Sequence, residues 1–429
     1  MRRLIYLART FPPVSTGSAP MNLRITALLV RNGWTPIVIT PHPSGDLPLD
    51  PSLEELVDPG VRIVRSGRKR NRSRTGPSAL TAESRGRSSL RQLLRSFVLT
   101  ILLQPDRYIT WLPLAVTASV REILRSDAEL IVTLGPPHSV HIAGLISSLI
   151  TGRKWVALFG DLWARDGLIN WNELPPSRRF WSKTMESMVV RNADGLVTTT
   201  CGSSDYFRVA YGTSCPPVAT LWNGLTRGEL DRLWKDSPQI PLENGLIITY
   251  TGFFMGNQSP EYFLRGMRMF LDRHPDRRVV LRIVGDLGKY SDLPEELQLG
   301  ENVEITGIVP FLEVSEWQSN THLLLLLLPP QPGNELKNPA KTVEYLVARR
   351  PILSVAPDGD MKNLLERLGV SYNADHSPES VCSALEKAYE DIENGKQRIL
   401  NNPEDLTGEM DMEAGVKALA NFLERIAYS

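Results

Sequence analysis

LLLLLLPPQPGNELKNPAKTVEYLVARRPILSVAP, residues Leu323 to Pro357, reads as strand, loop, helix and next strand in one continuous run. Leu323 to Leu328 is too short to cross a membrane and stops at Pro329 and Pro330, which marks a strand buried in a parallel sheet. The loop closes at Asn338 and Pro339, residue types suited to an N-cap and a first helical turn. Lys341 and Glu344, three apart, share one face near the start of the helix that follows. Exposed amides and the helix dipole favour an anion there, and Lys341 adds a full positive charge. Glu344 only accepts hydrogen bonds, so it suits a pair of sugar hydroxyls and not a phosphate. Together the two suit a sugar nucleotide; the plainer alternative is a solvated Lys–Glu pair on a helix.

Outward from this stretch, strands and helices alternate. Leu4–Ala8 and Pro36–Thr40 read as strands flanking a helix over about Met21–Asn32, with Gly33 as its stop. Further strands are expected at Leu130–Leu134, Trp155–Phe159, Gly195–Thr199 and Val218–Leu221. A second series runs through Leu246–Thr251, Val279–Val284, Val303–Ile305, His322–Leu328 and Ile352–Val355. Alternation of this kind implies an α/β protein with parallel sheets. Between the series lies KDSPQIPLENG, Lys235 to Gly245, polar and proline-containing as linkers are. The expected architecture is two Rossmann-like domains facing across a cleft: residues 1–235, residues 236–405, and a C-terminal helix in 406–429 that packs back on the first domain.

Composition agrees. A chain of 429 residues exceeds what one core normally serves, and 42% hydrophobic with 22% charged residues is ordinary for a globular protein. Cys201, Cys215 and Cys382 are far apart with no C-x-x-C spacing, which gives neither a disulfide framework nor a zinc site and fits a reducing cytosol. MRRLIYLARTFPP has too short an apolar core for a signal peptide, and no window of 18 or more apolar residues occurs. A cytoplasmic protein, neither exported nor membrane-spanning, is expected.

Net charge is zero, 48 basic against 48 acidic residues, but unevenly spread. From Arg65 to Arg95 ten basic residues face the single acid Glu83. Most of this segment reads as a loop, leading into SLRQLLRSFVLTILL, Ser89 to Leu103, a basic then apolar stretch. Residues 65–103 thus suit peripheral contact with an anionic membrane, on the inner face of the plasma membrane, or alternatively a solvated loop and a core helix. No aromatic residue lies between Arg65 and Ser96 to stack on bases, which argues against nucleic acid.

The string NPAKTVEYLVARRPILSVAP resembles the P-x-K-x-x-E-Y-L-A-x-x-x-P-I-L segment of bacterial glycosyltransferases of family 4, of the polysaccharide-biosynthesis type, whose fold is GT-B. The resemblance implies that Glu344 binds the nucleotide ribose. RTFPPVSTGSAPMNLR, with Thr16 and Gly17, is similar to the family's F-P-P-x-x-G-G opening, with Ser18 near the usual second glycine. YTGFFMGNQSPEYFL resembles its glycine-rich loop and implies Gly252, Gly256 and Gln258 as donor contacts. Phe253 and Gln258 stand roughly where many members carry an Arg and a Lys that clamp the diphosphate, so that Lys341, backbone amides or Lys289 must neutralise the leaving group. Gly285 and Asp286 look like the V-G-x-G loop, and Thr306–Pro310, including Ile308, like the segment whose backbone recognises the base.

LIVTLGPPHSVHIAGLISSL and KWVALFGDLWARDG resemble acceptor-domain segments, the second like an R-D-x-W loop with Gly160 in place of Arg. Asp161 would orient an acceptor hydroxyl or donor sugar, and Trp163 offers a flat face to a sugar ring. A family histidine that contacts the donor sugar aligns with Thr133; His138, in the loop, is the better ligand candidate, and His141 packs within the helix. The family's first glutamate would fall at Leu336, beside Glu335, with Asn334 as the alternative sugar contact. Asp358-Gly359-Asp360 matches a metal-binding D-x-D of the other large glycosyltransferase fold, but its position before a helix reads as an N-cap.

The activity implied is retaining, metal-independent transfer of a hexose from a nucleotide-diphosphate sugar, which acts as co-substrate with no other cofactor, to a saccharide or polyprenyl-linked acceptor. Alternatives are a sugar-nucleotide epimerase of the same architecture, or a non-catalytic partner subunit.

Overall fold

The computed structural model describes the chain apart from residues 1, 16–17, 44–46, 68–103, 168, 170, 172, 235–239, 255, 311–312, 397, 407 and 409. Thirteen strands are described: β1 Arg2–Ala8, β2 Trp34–Pro41, β3 Arg62–Ser66, β4 Leu130–Gly135, β5 Lys154–Phe159, β6 Gly195–Thr198, β7 Val218–Thr220, β8 Leu246–Phe253, β9 Val279–Asp286, β10 Val303–Ile305, β11 Leu323–Leu327, β12 Ile352–Val355 and β13 Ser371–Ala374. The α-helices are α1 Ala19–Arg31, α2 Leu112–Ser126, α3 Ser139–Thr151, α4 Pro176–Asn192, α5 Cys201–Tyr211, α6 Arg227–Leu233, α7 Glu261–Arg273, α8 Leu293–Glu296, α9 Val314–Ser319, α10 Ala340–Val347, α11 Asp360–Leu368, α12 Pro378–Glu393 and α13 Met412–Ala427.

They form two compact units. The first comprises residues 1–165, 171–222 and 412–429, so that α13 belongs with the N-terminal sheet; the second comprises 166–170 and 223–411. The stretch 223–234 joins the second unit through Leu225, which bridges Asp411, and through Gly224, packed against the Met410 carbonyl.

The first unit is built on a parallel sheet in the order β3-β2-β1-β4-β5-β6-β7. Its core includes Leu4, Tyr6, Val132, Val156 and Val197 from the strands, with Ile25 from α1 and Phe422 and Leu423 from α13. The second unit has a parallel sheet in the order β10-β9-β8-β11-β12-β13. Leu323 to Leu326 are fully buried, which explains a continuous leucine run where a half-exposed strand would alternate. Each such leucine contributes about 1.5–3 kcal/mol of burial. In both sheets the first strand lies between its second and fourth, so the order reverses there, between β1 and β4 and between β8 and β11. Ligands of doubly wound sheets bind beyond the carboxyl ends of the strands flanking that reversal.

Two strands were not expected from sequence. β13 is only four residues long, and β3, RIVRS, is an edge strand whose arginines read as loop. Arg65 is accordingly not loop: it pairs with Ile39's neighbour Thr40 in the ladder, and its guanidinium bonds the Pro12 carbonyl and Glu54. The remainder of the basic segment, 68–103, lies outside the described residues. Among the described residues no helix is long and apolar enough to cross a membrane.

Candidate functional site

At the β8–β11 reversal of the second unit, β8 ends at Gly252 and Phe253 and β9 at Gly285 and Asp286, paired in register. Gly252 has φ +126° and Gly285 φ +148°; a Cβ on Gly285 would lie 1.9 Å from the Gly252 carbonyl oxygen. Only glycine accepts both the backbone angle and the approach.

Beyond β11 the loop turns into α10, whose first turn carries Lys341. The Lys341 ammonium donates to the Thr251 carbonyl at 2.9 Å and sits 4.1 Å from the Tyr250 ring centroid. Burial holds it below the ordinary lysine range. A Cβ on Gly252 would come within 3.2 Å of the same Nζ. Glycine there leaves the ammonium approachable. One turn along, Glu344 accepts from Gln318 Nε2 at 3.4 Å, and Gln318 also donates to Thr251 Oγ1 at 3.2 Å. Tyr345 Oη accepts from the Thr251 amide at 3.0 Å. The strand end, α9 and α10 are thereby tied into one polar network holding Lys341 and Glu344 at the mouth of the reversal. Gln258 donates to Tyr250 Oη (3.0 Å) and to the Leu327 carbonyl (3.1 Å), so its amide braces β8 against β11.

Pro339, and not Asn338, is the N-cap of α10; its fixed φ of −58° and extended ψ of 142° begin the helix one residue later than expected. Asn338 is 3% exposed, and neither carboxamide atom has a hydrogen-bond partner, although its backbone carbonyl accepts from Asn223. A buried amide left unbonded at a helix start is a ligand candidate the sequence did not single out. Asn334, also buried, donates to the Gly167 and Pro329 carbonyls and leaves its Oδ1 unbonded. Glu335 bends back to accept from the Gly333 amide at 2.6 Å. Asp286 is exposed and accepts from the Gly288 amide, Gly256 is exposed with φ +57°, and Ile308 is 62% exposed.

The D-x-D carboxylates do not cap: Gly359 is the N-cap of α11, and Asp358 bonds Lys362 at 2.5 Å. That pairing holds Asp358 below the usual carboxylate range. Among the described residues no group of three or more His, Cys, Asp or Glu is gathered as a metal site.

In the first unit the reversal falls between β1 and β4. Thr16 and Gly17 lie outside the described residues. Thr133, on β4, is fully buried, and its hydroxyl engages His141 Nδ1 at 2.8 Å and Trp155 Nε1 at 3.0 Å. Fully buried and bonded on both sides, it packs the sheet, unlike the ligand position expected of it. His141 is likewise fully buried, and desolvation pushes its pKa well below the ordinary histidine value. His138, at the start of α3, stacks on Trp163 with centroids 4.9 Å apart and planes 4° from parallel. One face of Trp163, itself 5% exposed, is therefore covered by His138. Asp161 is half-buried in the loop leaving β5. That loop is anchored by Glu186 of α4, a buried carboxylate that accepts from the Ala164 amide (2.6 Å) and Tyr211 Oη (2.8 Å). Burial pushes Glu186 above the usual carboxylate range.

No protein-family model matches the chain, and no curated protein matches it in sequence. Solved structures do. Sucrose-phosphate synthase from Thermosynechococcus elongatus superposes with a TM-score of 0.70 over 100% of both chains at 14% identity. The HepE protein of Anabaena, in complex with UDP and glucose, gives 0.58 over 100% of this chain and 98% of its own, also at 14% identity. The fold is GT-B. A UDP-N-acetylglucosamine 2-epimerase is similar as well, with a TM-score of 0.52 at 11% identity over 100% of this chain and 97% of its own.

Proposed function

We propose that the protein is a retaining, metal-independent glycosyltransferase that moves a sugar from a nucleoside-diphosphate donor to a saccharide or polyprenyl-linked acceptor in cell-surface polysaccharide synthesis. One observation carries the reading: a desolvated Lys341 ammonium lies beside Gly252 at the strand-order reversal, with Glu344 one turn further on. A phosphate suits the first group and vicinal hydroxyls the second. The HepE protein is described in complex with UDP and with UDP-glucose, which supports a nucleotide sugar as ligand.

In this reading Lys341 and the amides opening α10 take the diphosphate and Glu344 the ribose. Asn334, Asn338 and Glu335 contact the donor sugar, and Ile308 with its neighbours the base. Trp163, His138 and Asp161 serve the acceptor. The bond from the anomeric carbon to the diphosphate breaks as the acceptor oxygen bonds that carbon, and the acceptor proton passes to the departing phosphate. Positioning and neutralisation of the leaving charge supply the rate. The nine basic residues from Arg68 to Arg95 recruit the chain to an anionic cytoplasmic membrane surface, each contributing about 1 kcal/mol when near it.

A thermal-shift panel of nucleotide sugars tests the reading. One nucleoside diphosphate and its sugar should raise the melting temperature in the wild type and not in Lys341→Met; no shift with any nucleotide would contradict it. The similarity to the epimerase makes interconversion of free sugar nucleotides the competing outcome.

A further inference from the structure

Donor chemistry leaves one surface of the first unit unexplained. Helices α2, α3 and α4 pack in series, α2 on α3 and α3 on α4. Their outward positions hold large apolar side chains: Leu124 is 79% exposed, Leu149 72% and Phe180 63%, with Ile150 and Trp181 also exposed. Leu124 of α2 and Ile150 of α3 border one shallow surface hollow of ≈ 550 Å³, and Arg121 and Arg125 line it too. Leu124 and Ile150 thus meet from two helices, and Phe180 and Trp181 pair on the third, each group beside basic side chains, which differs from the scattered single exposures normal on a soluble surface.

Within the three helices the exposed charge has one sign, and the acid just past α2, Asp127, pairs with Arg153. The three helices contain two acids, Glu122 and Glu186. Both are buried. Facing outward or half-buried are Arg121, Arg125, Arg178, Arg179 and Lys183. Long basic stems that lie along apolar surface while their heads reach phosphate, beside an adjacent aromatic pair, suit the boundary between lipid headgroups and acyl chains. An acidic protein partner would match the charge. It would not need five large apolar groups spread over three helices.

We propose that the α2–α3–α4 face docks on an anionic lipid bilayer, with Leu124, Leu149, Ile150, Phe180 and Trp181 entering the acyl boundary and the flanking basic residues meeting lipid phosphates. This contact is distinct from the segment 68–103, whose basic residues give an attraction screened by salt and whose apolar stretch up to Leu103 adds a term that salt does not screen; the serine variants below separate the two. It also holds or fails independently of sugar transfer.

Co-sedimentation of the full chain with vesicles of phosphatidylglycerol and phosphatidylcholine, without donor, tests it. Neutralising Arg68, Lys69, Arg70, Arg72 and Arg74 should leave a binding component that survives high salt. Adding Leu124→Ser, Leu149→Ser and Ile150→Ser, or Phe180→Ser and Trp181→Ser, should weaken that component at least tenfold in each case. Hydrogen exchange over 112–126, 145–153 and 176–184 should slow on adding the vesicles. All five substituted positions are exposed, so melting temperatures should match the wild type. Unchanged partitioning in either serine variant would overturn the assignment for the helices concerned. A dimer in sedimentation velocity that the same substitutions dissociate, with no lipid binding, would assign the face to a second copy instead.

Discussion

Replacing Lys341 with methionine isolates the contribution of one charge. Methionine keeps a flexible stem to pack over Tyr250, 4.1 Å from the present ammonium, and removes both the charge and the bond to the Thr251 carbonyl. A hydrogen bond to a charged group is worth about 1.5–3 kcal/mol, so the nucleoside diphosphate that stabilises the protein most should bind about 12- to 160-fold more weakly. The matching nucleoside, which lacks the diphosphate, should lose less than about twofold. Titration calorimetry with both ligands checks this; equal losses, or none, would remove Lys341 from the phosphate site. The pH dependence has a definite sign. Binding needs the protonated amine, and burial lowers its pKa, so affinity for the nucleoside diphosphate should fall as pH rises toward the ordinary lysine value of about 10.4, starting below it, and Lys341→Met should show no such fall. Without ligand the direction reverses. The unfolded chain holds the extra proton between the lowered value and about 10.4, so Lys341's contribution to stability falls as pH drops through that window.

Glu344→Gln should weaken the nucleoside diphosphate and its nucleoside alike, by about 1.5–3 kcal/mol, because its proposed partner is the ribose they share; unchanged nucleoside affinity in calorimetry would contradict the assignment. Gly285→Ala should destabilise the second unit by about 2–4 kcal/mol in urea unfolding, from the positive φ and the 1.9 Å approach to Gly252, and a midpoint equal to wild type would show that the strand ends yield freely. His141 stays neutral when folded but protonates near pH 6.5 when unfolded, so stability should fall as pH drops below that value. Melting curves at pH 7 and pH 5 should show a smaller acid loss in His141→Asn than in wild type.

Much of the fold was legible because the chain states it in two periods. Buried parallel strands such as Leu323–Leu327 are continuous apolar runs, and glycine and proline punctuate their ends. β3 escaped notice because an edge strand tolerates arginine, and its pairing to β2 is a long-range fact that local pattern does not carry. That Lys341 and Glu344 share the start of one helix was readable from their spacing. Thr133 was not: alignment with a family histidine suggests a ligand contact, whereas the register of β4 against β5 turns its hydroxyl inward toward Trp155 and His141. Asn338 looked like a cap because its type and position fit one, and only the backbone angles of Pro339 show that the cap lies one residue on. The aromatic stack of His138 on Trp163 joins residues 25 positions apart in sequence, and no spacing rule foretells it.

The central claim is that this chain breaks a sugar–diphosphate bond at the site opened by Gly252, Lys341 and Glu344. Incubation of the purified protein with the nucleotide sugar that stabilises it most, followed by phosphorus NMR in the presence of EDTA, measures that directly. Slow release of free nucleoside diphosphate, accelerated by a saccharide or lipid-linked acceptor and abolished in Lys341→Met, is the expected result. Bound donor that is never cleaved under any acceptor, or a sugar nucleotide converted to its epimer without release of diphosphate, would contradict the account.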